Sequence, residues 1–177
     1  APLWQRMEQT ARALFRRYGY RELRTPVFEE TGLFARGIGS ETDIVSKEMY
    51  TFADRDGGSL TLRPEATAGI VRAVIEHNLF QSDPALRVFA LGPMFRREKP
   101  QKGRYRQFHQ VNYEALGSEN PILDAEAVVL LYECLKELGL RRLKVKLSSV
   151  GGPEDRARYN AYLREVLSPH REALSED

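Results

Sequence analysis

Residues 95–117 read FRREKPQKGRYRQFHQVNYEALG, and the division of this stretch decides the fold. The residues leading into it, LRVFALGPMF (86–95), form an apolar strand pattern. Residues 97–105 are a polar, basic loop, and RQFHQVNYE (106–114) reads as the returning strand. Two such runs joined by a polar tip predict an antiparallel pair. Side chains alternate along a strand. Arg104, Arg106, Phe108, Gln110, Asn112 and Glu114 therefore share one face, and Tyr105, Gln107, His109, Val111 and Tyr113 share the other. The first face passes from cations through an aromatic ring and two amides to a carboxylate. A core face would be apolar. This one is either a wet surface of interleaved salt bridges or a face for a polar ligand, and Phe and Gln on it favour the ligand.

Charge is concentrated in the same place. The segment RREKPQKGRYR (96–106) holds six basic residues and one acidic residue, a local +5 in a chain whose formal net charge is +2, which leaves −3 for the rest. A field of this kind suits a polyanion, either a triphosphate or a nucleic-acid backbone. Arg96 ends the outgoing strand and Glu98 shares its parity. The expected arrangement places a phosphate at Arg96 and Arg104, a purine on Phe108, and an amine-bearing ligand at Gln110 and Glu114.

A second cluster lies upstream in LTLRPEAT (60–67). Pro64 interrupts a strand, and Glu65 and Thr67 sit at the turn into a helix. Alone, Thr67 is a helix N-cap and Glu65 a solvent-facing acid. Beside the polar strand face, they become a carboxylate and a hydroxyl for an ammonium group.

The flanking segments supply a scaffold. Leu3, Met7, Ala11, Leu14, Phe15 and Tyr18 fall at helical spacing over 2–18, and Gly19 stops the helix. Residues 20–28 are extended, with Pro26 suiting an edge. Residues 32–43 contain Gly32, Gly37, Gly39, Ser40 and Asp43 and read as loop. MYTFA (49–53) and SLTLR (59–63) flank DRDGG as a hairpin, and 66–79 reads as a helix. Asn120-Pro121 starts a helix that is nearly apolar all round, so deep burial is expected, and Gly139 ends it. LKVKLSSV (143–150) reads as a strand, Gly151-Gly152-Pro153 as a break and 154–167 as a helix. Helices interleaved with hairpins predict an α+β fold, an antiparallel β-sheet flanked by helices. No GxGxxG follows a strand.

Composition excludes several classes. Hydrophobic residues are 42% and charged residues 29% of 177, ordinary for a globular chain that can bury a core. The single cysteine, Cys134, forms no intrachain disulfide or multi-cysteine metal cage and fits a core position. His77, His109 and His170 are far apart and no metal ligand set emerges. No run of about 18 apolar residues would span a membrane, and no secretory signal opens the chain. A cytoplasmic location is expected. The chain opens at Ala1 within a helical pattern and closes at Asp177 in a charged stretch, so a piece of a longer protein is also expected.

The residues at 95–117, together with LTLRPEAT at 60–67 and LFRRYGYRELRTPVFEE at 14–30, resemble the histidyl-tRNA synthetase family of class II aminoacyl-tRNA synthetases. Residues 14–30 look like the family's motif 1, a dimer-forming helix followed by a strand with a proline. Residues 95–117 are similar to its motif 2, and 60–67 to its amino-acid-binding turn. The resemblance implies ATP-dependent activation of histidine to histidyl-adenylate and transfer to tRNA(His), with ATP and Mg²⁺ required and a homodimer formed through residues 1–30. It implies that Arg96 contacts the α-phosphate, Glu98 lies near the adenine, Arg104 meets the distal phosphates and Phe108 stacks on the adenine. Glu65, Thr67 and Gln110 would hold the α-amino group, and Glu114 would face the imidazole. Residues 1–151 would be the catalytic core with motifs 1 and 2. Residues 152–177 would begin a helical insertion domain, cut short, with motif 3 and the histidine-specific motif further along. Ala66 departs from the family's frequent glycine. Two alternatives remain: the non-catalytic regulatory subunit of ATP phosphoribosyltransferase, which resembles the same fold, and a nucleic-acid-binding module using only the 96–106 loop.

Overall fold

The structure is a computed structural model, and it describes residues 2–38, 48–81, 83, 85–99, 101–148 and 151–173. They divide into two compact units, 1–141 and 142–177.

The first unit is built on a long antiparallel ribbon, β5 (Leu86–Phe95) and β6 (Gln107–Leu116). Its register pairs Leu86 with Leu116, Val88 with Glu114, Ala90 with Asn112, Gly92 with Gln110 and Met94 with Phe108. The period-two reading is thus realised, and even-numbered residues of both strands share a face. A short β1 (Arg21–Glu22) adds to β5 in parallel, the one parallel pairing among the described strands.

The odd face of the ribbon is covered by α1 (Pro2–Arg17) and α4 (Ile122–Glu137). Ala11, Leu14, Phe15, Tyr20, Phe89, Leu130 and Cys134 form one core there. The even face of β5 is covered by α3 (Thr67–Glu76), through Ala66, Ile70, Val74, Leu86, Val88, Ala90 and Met94. Burying side chains of this size stabilises by about 1.5–3 kcal/mol each relative to exposure. The ribbon is therefore held from both sides, and its polar half-face on β6 lies beside α3.

Two glycines end helices as the sequence predicts. Gly19 has φ +79°. The amide of Tyr20 donates to Phe15 O at 2.9 Å and that of Gly19 to Arg16 O at 3.1 Å, the paired bonds of a left-handed helix cap. Gly139 repeats the arrangement, with Leu140 donating to Leu135 O. The predicted hairpin is present as β3 (Tyr50–Ala53) and β4 (Ser59–Leu62), closed by Asp54 N–H donating to Gly58 O at 2.8 Å. A third strand, β2 (Phe28–Glu30), pairs with β4.

Three expectations need correction. Residues Thr31–Ile38 form a helix, α2, rather than loop; Phe34 is fully buried, and packing against α3 and β4 overrides the low helix propensity of its glycines. Residues 39–43 lie outside the described residues. In α4 only Leu130 and Cys134 are buried, while Ile122, Val129 and Leu131 are 66%, 48% and 49% exposed, because α1 and the ribbon cover a single side. Residues 143–148 form no strand, because no strand among the described residues pairs with them; positions 149–150 lie outside the described residues. The second unit contains α5 (Pro153–Leu167), opened by Gly152 N–H donating to Asp155 Oδ2 at 3.1 Å.

Candidate functional site

The even face of β6 and the turn between β4 and α3 meet as one cluster. Thr67, the first residue of α3, donates its hydroxyl to Glu114 Oε1 at 2.7 Å, which joins turn to strand. Arg96, just past β5, donates Nε to Pro64 O at 2.9 Å, and its guanidinium lies 5.2 Å from the centroid of the Phe108 ring. Gln110 occupies the same face between Phe108 and Glu114. Arg96, Phe108, Gln110, Glu114 and the 64–67 turn are therefore neighbours; alternation accounts for Phe108, Gln110 and Glu114 sharing a face, and the turn joins them through Thr67 and Pro64.

The local roles of Glu65 and Thr67 differ from the simplest sequence reading. Glu65, rather than Thr67, caps α3. It accepts from Ala68 N–H at 2.9 Å and from Thr67 N–H, satisfying two orphan donors of the first turn. The Thr67 hydroxyl is thereby left for Glu114. Ala66 has φ −103° and is buried, so alanine fits there without strain.

Electrostatics mark Glu114. Burial raises its carboxyl above the ordinary range, the Thr67 hydrogen bond works in the opposite direction, and the charge of Glu65 raises it further. Two carboxylates held this close, one of them desolvated, favour a cationic partner. Two further groups on this face lack partners: Gln110 Oε1 and Asn112 Oδ1 are buried without a hydrogen bond. Buried carbonyl oxygens of this kind are normally paired, and an ammonium group would satisfy them.

Glu98 and Arg104, in the loop, pair with each other at 3.1 Å. The loop is tied at its base by Arg97 N–H donating to Glu48 O and Arg96 N–H donating to Arg106 O. His109, on the opposite face of β6, stacks against Trp4 with ring centroids 4.6 Å apart. Among the described residues, no group of three or more His, Cys, Asp or Glu is arranged to hold a metal ion, and no helix is long and apolar enough to cross a membrane.

The sequence reading assigns no role to Arg63, although it stands inside LTLRPEAT. The structure buries it to 7% exposure. Its Nε donates to Pro93 O at 2.9 Å, and its Nη1 to Thr25 O at 3.0 Å, Thr25 Oγ1 at 3.3 Å and Pro26 O at 3.4 Å. One signal pointed here: a glycine inside a strand, Gly92, marks a close approach by another group.

A family model for histidyl-tRNA synthetase matches residues 2–152. The chain belongs to the histidyl-tRNA synthetase family. It is 73% identical over 173 residues to a histidine–tRNA ligase of Thermus thermophilus, covering 98% of this chain and 41% of that protein. The match to the apo histidyl-tRNA synthetase structure of S. aureus has a TM-score of 0.73 at 39% identity, over 98% of this chain and 40% of the other. A Bacillus halodurans structure described as an ATP phosphoribosyltransferase regulatory subunit/histidyl-tRNA synthetase matches at TM-score 0.74 and 23% identity, over 97% and 46%; that likeness speaks for the fold alone. The chain thus spans about two fifths of the length of the curated relatives it matches. The α+β arrangement, an antiparallel ribbon flanked by helices, is the class II fold of this family.

Proposed function

We propose that the complete protein containing this chain condenses histidine with ATP to histidyl-adenylate and then charges tRNA(His). The observation that carries the reading is the single connected face on which Arg96 and Phe108 adjoin Gln110, Glu114 and the 65–67 turn. Arg96 faces the α-phosphate and Phe108 stacks on the adenine, with Glu98 near it. Arg104 meets the distal phosphates, exchanging its bond to Glu98 for them. Glu65, Thr67 and Gln110 hold the α-amino group, and Glu114 receives the imidazole.

No side-chain nucleophile takes part in this chemistry. A histidine carboxylate oxygen forms the new bond to the α-phosphorus as the bond to the bridging oxygen breaks, and pyrophosphate leaves with that electron pair. The residues align the two substrates and neutralise charge developing on the phosphoryl oxygens. Mg²⁺ enters with ATP as its counter-ion. The protein works in the cytoplasm as a homodimer formed through residues 1–30, where Leu3, Trp4 and Phe28 are exposed at 70%, 47% and 51%; sedimentation over a concentration series reads this directly. The regulatory-subunit alternative is supported less well, since this chain carries the phosphate and amino-acid groups together.

ATP–pyrophosphate exchange by the complete protein, run with each of the twenty amino acids, tests the proposal. Exchange that depends on histidine alone is expected, with none from residues 1–177 in isolation. Exchange driven by another amino acid, or by none, contradicts it.

A further inference from the structure

We propose that Arg63 is a positioning residue of this site: an unneutralised, buried guanidinium that ties the Glu65–Thr67 turn to the ribbon and biases the pocket toward a ligand bearing a carboxylate. The inference rests on the reading of the site as one for an amino acid.

Arginine is rarely buried without an anionic partner. Among the described residues no carboxylate pairs with Arg63. Its acceptors are three backbone carbonyls and one hydroxyl, at Pro93, Thr25 and Pro26. Neutral oxygens satisfy N–H groups but leave the charge uncompensated. Burial pulls the pKa of Arg63 below the ordinary arginine value, and a guanidinium nonetheless stays protonated.

The position of this charge follows from Gly92. A Cβ built at residue 92 would lie 2.5 Å from Arg63 Nη2. The register pairs Gly92 with Gln110, and the Cβ atoms of facing residues on one sheet face are about 4.5–5.5 Å apart. The Nη2 end of Arg63 therefore occupies the side-chain space beside Gln110. Nη2 makes no hydrogen bond among the described residues, and Gln110 Oε1 and the next even residue's Asn112 Oδ1 lack donors. The face thus holds one cation without an anion and two carbonyl oxygens without donors. A free α-amino acid carries both complements, a carboxylate and an ammonium group.

The same arginine fixes geometry. Its backbone N–H donates to Val27 O at 2.9 Å, and Phe95 N–H donates to its carbonyl at 3.0 Å. Side chain and backbone together lock residue 63 to the 25–27 loop and to the end of β5. The turn that presents Glu65 and Thr67 begins at the next residue.

The test uses the complete protein and two ligands, L-histidine and L-histidinol, which share the amine and imidazole but differ in the carboxylate. Dissociation constants are measured by calorimetry for wild type, Arg63→Met and Arg63→Lys. Arg63→Met should weaken histidine binding about tenfold more than histidinol binding, as expected for removing a charge near the carboxylate. Arg63→Lys should keep most of that discrimination. Equal weakening for both ligands, or no weakening, overturns the proposal, because loss of fold alone does not distinguish a carboxylate from an alcohol. If Arg63→Met does not fold, Gly92→Ala displaces Nη2 while retaining the charge; a reduced preference for histidine over histidinol supports the proposal and an unchanged preference overturns it. Wild type that binds neither ligand overturns the amino-acid reading beneath it.

Discussion

Replacing Gly92 by alanine places a methyl group against the terminal nitrogen of Arg63, and the structure sets the size of the effect. The new Cβ would stand 2.5 Å from Nη2 and 3.7 Å from Cζ, whereas carbon and nitrogen atoms in ordinary contact are about 3.5 Å apart. One of them must move by about 1 Å. A guanidinium at a surface would swing away at little cost. This one is held by bonds of 2.9 Å to Pro93 O and 3.0 Å to Thr25 O, so a shift of that size breaks at least one of them. A hydrogen bond with a charged donor contributes about 1.5–3 kcal/mol, and overpacking costs about 1–3 kcal/mol. Gly92→Ala should therefore destabilise by about 2.5–6 kcal/mol. With Arg63→Ala already present the obstacle is gone, and the same substitution should cost less than about 1 kcal/mol, because Gly92 has no positive φ that alanine would resist. Urea unfolding of the wild type, both single variants and the double variant of the complete protein measures the coupling. Additivity within about 0.5 kcal/mol would refute the steric argument.

Three further outcomes are expected. Arg96→Ala should lower histidine-dependent pyrophosphate exchange by about 10²–10³, the usual loss for one preorganised donor; a rate within a few-fold of wild type rejects that role. Glu114→Ala should weaken histidine far more than ATP in calorimetric titrations, and equal losses count against it. Glu22 has its carboxyl held below the usual range by the hydrogen bond from Arg12, with Arg24 assisting against the effect of burial. Its contribution to stability is present above the ordinary carboxylate range and is lost as pH falls through its depressed pKa. Glu22→Gln should flatten the acid limb of a pH–melting curve, and an unaltered limb would show the pair to be inert.

The ribbon and its polar face were legible because alternation is a local property: Phe108, Gln110 and Glu114 fall on one face whatever else the chain does. The turn at 60–67 was legible through Pro64, but its detail was not, since a helix can be capped by a residue two or three positions away, as Glu65 caps α3. What failed was non-local. Phe34 is fully buried only because α2 packs against α3 and β4, and the glycines of TGLFARGI conceal this in one dimension. Apolar residues of α4 such as Val129 and Leu131 look identical in sequence to the buried Leu130. LKVKL has strand composition, yet a strand exists only where a partner accepts its hydrogen bonds. Arg63 was the costliest omission. Its significance lies in a contact with Gly92, 29 residues away, and only the glycine within LRVFALGPMF hinted at it.

The central claim is that the even face of β6 and the 64–67 turn enclose histidine and the phosphates together. Diffraction from crystals of the complete protein soaked with histidine and a non-hydrolysable ATP analogue tests it most directly. Density for the α-amino group should lie about 3 Å from Glu65, Thr67 and Gln110, with the imidazole against Glu114, the adenine on Phe108 and Arg96 turned toward the α-phosphate. Histidine bound away from Gln110 and Glu114, or an analogue that leaves Arg96 on Pro64 and Phe108, would contradict the account.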